Sequence, residues 1–261
     1  MDKNAVFSHF SSIIDNMLEN SLFFMTFLQR PSYMDSIYGS VDDPVVPSGL
    51  NIHFGATRGC IVDDDYDYVV KFDIDGDAWS DSICDRESEI YTHAKKRHLE
   101  QYFCEPVYLG CYNKTIMFYD YNDIDQNMDW YEYGSYFAEE FMQHEEEFGE
   151  IHPIIISIPL YAYPKAEYHH SIGACPGDDI NYIDAAKKIH SPMRDRNLAV
   201  AIDFIREYGE EAYQALTEFM YEEDINDLHG GNIGDVNGKM VFIDYSGYHS
   251  DCEGEYYSEE C

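Results

Sequence analysis

The segment INDLHGGNIGDVNGKMVFIDYSG, residues 225–247, carries the clearest chemical pattern of the chain and decides the expected fold. Asp227 and Asn232 are five residues apart across a glycine-rich stretch, and the apolar run MVFID ends in Asp244. The turn DVNGK places Gly238 where positive φ is tolerated, which predicts a hairpin with strands at about 233–235 and 240–243. Such a hairpin would present Asn232 and Asp244 on the same side. The segment is either a polar loop and hairpin or a site for a metal and a phosphate.

The composition limits the class of partner. The chain has 261 residues, of which 45% are hydrophobic and 16% aromatic, so a substantial core in one large domain or two lobes is expected. Its 51 acidic residues against 16 basic residues give a net charge of −35. This field repels nucleic acids and anionic membranes, and it favours basic peptides, polyamines or the DNA-binding face of another protein. Alternatively, the charge serves only solubility.

The cysteines and the first residues indicate a reduced, cytoplasmic protein. The seven cysteines include no Cys-x-x-Cys pair, which argues against a disulfide framework or a structural zinc site. The start of the chain predicts an amphipathic helix, rather than a signal peptide, and no run is apolar enough for a membrane span. The inner face of this helix comprises Phe7, Phe10, Ile14, Met17 and Leu18.

The remaining pattern predicts mixed helices and strands. Residues 51–74 indicate three strands with turns at ATRG (56–59) and DDDYD (63–67), followed by a helix over 82–103 and strands at 106–111 and 115–120. Farther on, an acidic helix is expected over 128–149, and 152–182 is expected to be irregular apart from IIISI. One long helix is predicted over 197–222. We expect the paired His169 and His170 to lie on the surface.

Phosphoryl transfer uses the groups that residues 225–247 supply. A carboxylate orients the attacking hydroxyl, while an amide oxygen and a second carboxylate hold magnesium between phosphates. Asp-x-x-x-x-Asn, a hairpin and a strand ending in IDYSG resemble the catalytic loop and metal-binding motif of the protein-kinase-like superfamily. The motifs are most similar to its atypical and antibiotic-phosphotransferase branches and to phage and prophage kinase-like proteins. The resemblance implies that Asp227 is the catalytic base, that Asn232 and Asp244 hold Mg²⁺, and that His229 helps to orient the loop.

The same resemblance assigns two further groups in the first half of the chain. It implies that Lys71, in YVVKF, binds the ATP phosphates and that Glu87 on the following helix pairs with it; Glu89 is the alternative partner. Otherwise Lys71 is a strand lysine that faces solvent. Gly55 and Gly59 bound the turn that resembles a nucleotide-binding loop.

The implied fold is α+β and bilobal, with a small antiparallel-sheet N-lobe carrying one helix and a mainly helical C-lobe that is short after the metal motif. We expect a helix and linker over 1–49, the N-lobe over 50–121, and the C-lobe over 122–261 with an insertion at 122–196. The catalytic loop is then 225–234 and the metal motif 244–247. The stretch MFYDY (117–121) resembles the linker between lobes, which assigns Phe118, Tyr119 and Asp120 to the adenine site.

Three departures from the family pattern bear on the substrate. The glycine loop lacks a third glycine, and Asn226 stands where an arginine is usual. Only residues 245–261 follow Asp244, so we expect the insertion 122–196 to complete the second lobe instead of a peptide-binding platform.

These patterns leave three functions open. The first is an ATP- and Mg²⁺-dependent phosphotransferase that acts on a cationic small molecule or a basic protein. The second is a pseudokinase-like acidic binding protein of phage type, which imitates nucleic acid or captures a basic partner such as a defence enzyme. The third is transfer of AMP from ATP. None of them requires direct binding to nucleic acid or to a membrane.

Overall fold

A computed structural model describes residues 2–20, 49–54, 58–73, 82–119, 151–175, 180–226, 228 and 230–246. The protein is mixed α+β and divides into two compact units. The first unit comprises Met1–Cys84 and Pro106–Tyr163, and the second comprises Asp85–Glu105 and Pro164–Cys261. The chain therefore passes between the units three times.

The first unit contains a five-stranded sheet of order β1-β2-β3-β5-β4. The pairs β1–β2, β2–β3 and β4–β5 are antiparallel. Asp73, the last residue of β3, accepts hydrogen bonds from the Ser82 hydroxyl and, at 3.2 Å, from the Cys84 backbone N–H, so it caps the start of helix α2. The elements with residues in this unit are α1 (Lys3–Asn20), β1 (Leu50–Phe54), β2 (Arg58–Asp63), β3 (Tyr68–Asp73), β4 (Val107–Tyr119), β5 (Ile151–Pro164) and the first two residues of α2 (Ile83–Lys96).

Helix α1 forms the core of the first unit together with the sheet. Val6, Phe10 and Ile14 recur at the spacing of one helix face and are buried, which confirms the predicted amphipathic helix. On the sheet, alternate residues of β3 (Val70 and Phe72) are buried in the same cluster. The other buried members of this cluster are Ile61, Tyr112, Ile158, Leu160 and Ala162.

The second unit is mainly helical and has a small sheet of order β6-β7-β8. Its core joins α2 to the later helices and to the hairpin, with Phe204, Phe219 and Phe242 completely buried. The elements are most of α2, a 3₁₀ turn at Glu100–Tyr102, β6 (Glu167–Tyr168), α3 (Ile180–Lys188), α4 (Pro192–Arg196), α5 (Leu198–Tyr208), α6 (Glu210–Glu222), a 3₁₀ turn at Gly230–Asn232, β7 (Ile233–Val236) and β8 (Lys239–Phe242).

Three predicted elements differ in the structure. The strands expected at 106–111 and 115–120 are one strand, β4, with an irregularity between Tyr108 and Gly110. Residues 152–182 are not mainly irregular, because β5 pairs with β4 from Ile151 to Ala162 and α3 follows. The helix expected over 197–222 is two helices, since Gly209 adopts φ +92° between them and ends α5. The helix expected over 128–149 lies outside the described residues.

The segment expected to link the lobes has a different place in the fold. Met117, Phe118 and Tyr119 are paired along β4 with β5, opposite Pro153, His152 and Ile151. The first unit extends to Tyr163, whereas the boundary between the lobes was expected at 121/122. Asp120 lies outside the described residues, as do the side chains of Phe118 and Tyr119.

Gly59 is part of strand β2, whereas the sequence suggested a turn at 56–59. Its strand partner is Phe72, and a Cβ on Gly59 would lie 2.3 Å from Cζ of that ring. Close packing against the Phe72 ring therefore explains why residue 59 is a glycine. Gly55 lies outside the described residues.

No helix among the described residues is both long enough and apolar enough to cross a membrane.

Gly59→Ala should lower the free energy of unfolding by about 1–3 kcal/mol, because the added methyl group overlaps the Phe72 ring. Urea denaturation measures the change. In a Phe72→Leu background the same substitution should cost clearly less, since the smaller side chain leaves room. An equal cost in both backgrounds would contradict the packing role.

Asp15 should contribute pH-dependent stability to the first unit. Its carboxylate accepts hydrogen bonds from Lys114 Nζ at 2.8 Å and from the Tyr112 hydroxyl at 2.7 Å. These bonds, that of Lys114 first, hold the pKa of Asp15 below the ordinary range of an aspartate. The contribution is present above pH 4 and is lost as the pH falls through the lowered pKa. The stability difference between the wild type and Asp15→Asn, measured by urea denaturation, should therefore shrink from pH 6 to pH 2.

Candidate functional site

The hairpin after α6 has the predicted geometry. Strands β7 and β8 pair antiparallel with Ile233 opposite Phe242. Asn237 and Gly238 occupy the two turn positions with φ values of +54° and +72°. Positive φ at both positions is typical of the tight turn whose twist matches a hairpin, so the prediction for Gly238 is confirmed.

The hairpin brings Asn232 and Asp244 to neighbouring positions. Asn232 is buried at the end of the 3₁₀ turn, and its backbone carbonyl accepts a hydrogen bond of 2.9 Å from the N–H of Ile243. This bond extends the β7–β8 ladder by one rung, so Asp244 comes directly after the residue that pairs with Asn232. The amide and the carboxylate expected to bind Mg²⁺ are therefore held at the same end of the hairpin.

The loop before the hairpin is anchored in the core of the second unit. Ile225 and Leu228 are both buried, and the Ile225 N–H bonds to the carbonyl of Met220 at 2.9 Å at the end of α6. Asp227 and His229 lie on either side of Leu228 and are outside the described residues. Ile225 and Leu228, which stand before and after the expected base in the sequence, therefore belong to the apolar core.

Tyr245 connects the metal motif to the segment that follows α2. Its ring is completely buried, 4.9 Å from that of Phe103 in an edge-to-face arrangement, and its hydroxyl donates to the Cys104 carbonyl at 2.9 Å. Phe242 accepts a second bond there, from the Cys104 N–H at 2.8 Å. The polypeptide on either side of Asp244 is therefore fixed at two points.

Glu87 contacts the segment that follows β8 directly. Its side chain is completely buried, and its Oε1 accepts a hydrogen bond of 3.0 Å from the backbone N–H of Tyr245. Glu89, in contrast, has a side chain that is 69% exposed and lies 3.8 Å from Arg86. Of the two glutamates considered as the lysine partner, only Glu87 is on the inner face of α2, where Ile90 and Ala94 continue the same stripe.

Tyr91 lies one turn after Glu87 and is half-buried against the same core. Burial raises the pKa of its phenol to about 12, and the negative charges of Glu105 and Glu100 act in the same direction. Tyr91 therefore stays neutral at physiological pH.

Lys71 belongs to the first unit, where it lies on strand β3. It lies on the face of β3 opposite to Val70 and Phe72, next to Cys60 of β2. The side chain is half-buried, and Nζ is 4.4 Å from the centre of the Tyr163 ring, which is itself buried. A cation at this distance is attracted by the face of the ring, so the ammonium group has a defined position.

Asn232 and Asp244 carry side-chain oxygens of the kind that magnesium prefers. Mg²⁺ prefers oxygen ligands, and it is usually held by one or two carboxylates together with phosphate oxygens and water. Asn232 and Asp244 supply two such side chains. Across the described residues, which do not include Asp227, no group of three or more His, Cys, Asp or Glu side chains could hold a metal alone. Magnesium at this hairpin would thus need the phosphates as further ligands.

The second unit contains a polar cluster that the sequence pattern does not predict. His170 is exposed as expected, but the expectation is wrong for His169, whose side chain is only 13% exposed. Its Nδ1 is 2.8 Å from Asp235 and its Nε2 is 3.7 Å from Asp203. These residues are more than 30 positions apart along the chain. No local spacing signals their contact.

Glu87→Ala should lower the free energy of unfolding by about 1–3 kcal/mol, because it leaves the buried Tyr245 N–H without this acceptor. Glu87→Gln retains an acceptor oxygen and should cost less. Glu89→Ala is the matched control on the same helix, and its effect should stay within about 0.5 kcal/mol. Urea denaturation of the three variants measures these changes. Equal costs for Glu87→Ala and Glu89→Ala would show that the bond to Tyr245 does not stabilise the unit.

Comparisons with protein-family models, with curated proteins and with solved structures find no match, so the interpretation of Glu87, Asn232 and Asp244 rests on their own geometry.

Proposed function

We propose that the protein is an ATP- and Mg²⁺-dependent phosphotransferase with a bilobal, protein-kinase-like fold. One observation carries the proposal: the buried Glu87 carboxylate is hydrogen-bonded to the residue after Asp244, while Asn232 is bonded to the residue before it. Glu87, Asn232 and Asp244, which a phosphotransferase would need, are thereby connected through the backbone of residues 243–245.

Asn232 and Asp244 would hold the magnesium ion. Their backbone positions are fixed by the hairpin, so their oxygens need little reorganisation on binding. When bound, the ion would neutralise charge on the phosphate oxygens. Asp227, next to the buried Leu228, would orient the acceptor hydroxyl or amine and accept its proton.

Lys71 would supply positive charge to the phosphates of ATP. The protein has a net charge of −35, so binding a polyanion needs local cations. The buried ring of Tyr163 beneath Nζ holds the ammonium group in place. The order of three strands, one helix and two strands over residues 50–164 is also what this fold requires.

The acceptor class follows from charge. An acidic surface attracts a cationic small molecule or a basic protein and repels nucleic acids. We place this reaction in the cytoplasm, consistent with the reduced thiols of Cys60, Cys84, Cys104, Cys111 and Cys175.

A second candidate is an acidic binding protein of phage type that imitates nucleic acid or captures a basic partner. The observation in its favour is the turn between β2 and β3, where Asp64, Asp65 and Asp67 occur within four residues and all three are exposed. In this case the hairpin residues would have no role in binding.

Saturating ATP with Mg²⁺ should raise the midpoint of thermal unfolding, because ligand at 100 times its Kd stabilises the native state by about 2.7 kcal/mol. Lys71→Ala, Asn232→Ala and Asp244→Ala should each remove most of the rise. Asp184→Asn and Lys187→Ala are matched controls on exposed faces of α3 and should retain it. Differential scanning fluorimetry with and without EDTA measures the effect.

Absence of any shift, or a shift that Asp244→Ala leaves intact, would contradict the phosphotransferase. Salt-sensitive competition with DNA for a DNA-binding enzyme, unchanged in Lys71→Ala and Asp244→Ala, would instead support the second candidate.

A further inference from the structure

Three large apolar side chains are exposed in one part of the second unit. Tyr168 is 66% exposed, Ile172 is 67% exposed and Leu198 is 37% exposed. The segments that carry Ile172 and Leu198 touch, because a Cβ on Gly173 would lie 2.9 Å from Cβ of Ala199. We call Tyr168, His170, Ile172 and Leu198 the apolar patch; His170 is included because its ring meets that of Tyr168 at 4.8 Å.

A glycine on the neighbouring strand leaves Tyr168 of the patch uncovered. Tyr168 on β6 pairs with Gly234 on β7, which has no side chain to cover the phenol ring from the neighbouring strand. A Cβ on Gly234 would lie 2.7 Å from Cβ of Ala166, so only glycine fits there. The close packing that excludes a side chain at Gly234 therefore also keeps Tyr168 open to solvent.

A buried carboxylate fixes the backbone of the patch. Asp203 on α5 accepts hydrogen bonds from the Ser171 hydroxyl at 2.7 Å, the Ile172 N–H at 2.8 Å and the Gly173 N–H at 3.0 Å. Arg206 bonds both to Asp203 and, at 2.6 Å, to the Gly173 carbonyl. The loop that exposes Ile172 is thus held in one conformation by a residue that is itself buried.

A fixed apolar loop is suited to binding another protein. Single exposed apolar residues are common, but several on neighbouring, ordered segments are typical of interaction sites. Because the loop is ordered before binding, association costs less conformational entropy than it would for a flexible segment. Tyrosine and bulky apolar side chains are also typical of the central contacts of interfaces.

Charge decides between the possible partners. A second copy of the chain carries the same net charge of −35 and would be repelled, whereas a basic protein would be attracted. We propose that the apolar patch is a docking surface for a basic protein segment that inserts apolar anchor side chains between Tyr168, Ile172 and Leu198. This docking needs no nucleotide, so it stands or falls separately from phosphoryl transfer.

The test uses the full chain without ATP. The probes are 12-residue peptides rich in Lys and Arg. Each peptide carries two apolar anchors (Leu, Ile, Phe or Trp) that are one to seven positions apart in the sequence. Each is paired with a control peptide that has serine at both anchor positions. Fluorescence anisotropy measures binding in 150 mM salt. We expect at least one peptide to bind ten-fold or more tighter than its serine counterpart. Tyr168→Ser/Ile172→Ser should reduce this ratio to under two-fold without changing binding of the serine peptide.

Tyr108→Ser removes a ring that is 49% exposed from the first unit and should leave the ratio unchanged. The proposal is overturned if no anchor gives a ten-fold gain, or if the gain persists in the double variant. It is also overturned if acidic peptides with the same anchors bind as well, or if sedimentation shows a wild-type dimer that the double variant disperses. Matching thermal unfolding of wild type and variants establishes that the fold is retained.

Discussion

The buried hydrogen bond between Glu87 and the Tyr245 N–H is the constraint on which the arrangement of the second unit depends. It joins residues 158 positions apart. A carboxylate taken out of water is costly unless donors hydrogen-bond to it, and the backbone N–H of Tyr245 is one such donor to Glu87. Conversely, the backbone after Asp244 finds its acceptor on α2. Each element therefore fixes the position of the other.

Further bonds make this junction rigid. The segment after α2 is bonded to the end of β8 through Cys104 and Phe242, and to the Tyr245 hydroxyl through the Cys104 carbonyl. Asn232 is added through Ile243. Two of these three hydrogen bonds join backbone groups. They therefore fix the backbone positions of these residues without requiring particular side chains. A hairpin held in this way can orient an amide and a carboxylate with little entropic cost on binding a ligand.

Local chemistry explains which elements could be predicted from the sequence. The hairpin at 233–242 follows from Asn237-Gly238, and α1 follows from the spacing of Phe10 and Ile14, because neighbours along the chain determine both. Strand β5 was missed since Pro153 and Pro159 argue against a strand inside a sheet, and its partner β4 is far away in sequence. The burial of Glu87 rather than Glu89 followed the helical period, but its bond to Tyr245 and the cluster around Asp203 depend on long-range contacts that no spacing encodes.

Much of the charge of the protein lies between β4 and β5 in the sequence. Tyr119 and Ile151 are directly paired about 5 Å apart, and residues 120–150 lie between them along the chain. This stretch contains 11 of the 51 acidic residues and none of the 16 lysines and arginines. A short reverse turn could close the same two strands, and the net charge would then change from −35 to −24. The net charge of the molecule can thus change through residues 120–150 alone, while the pairing of β4 with β5 is left as it is.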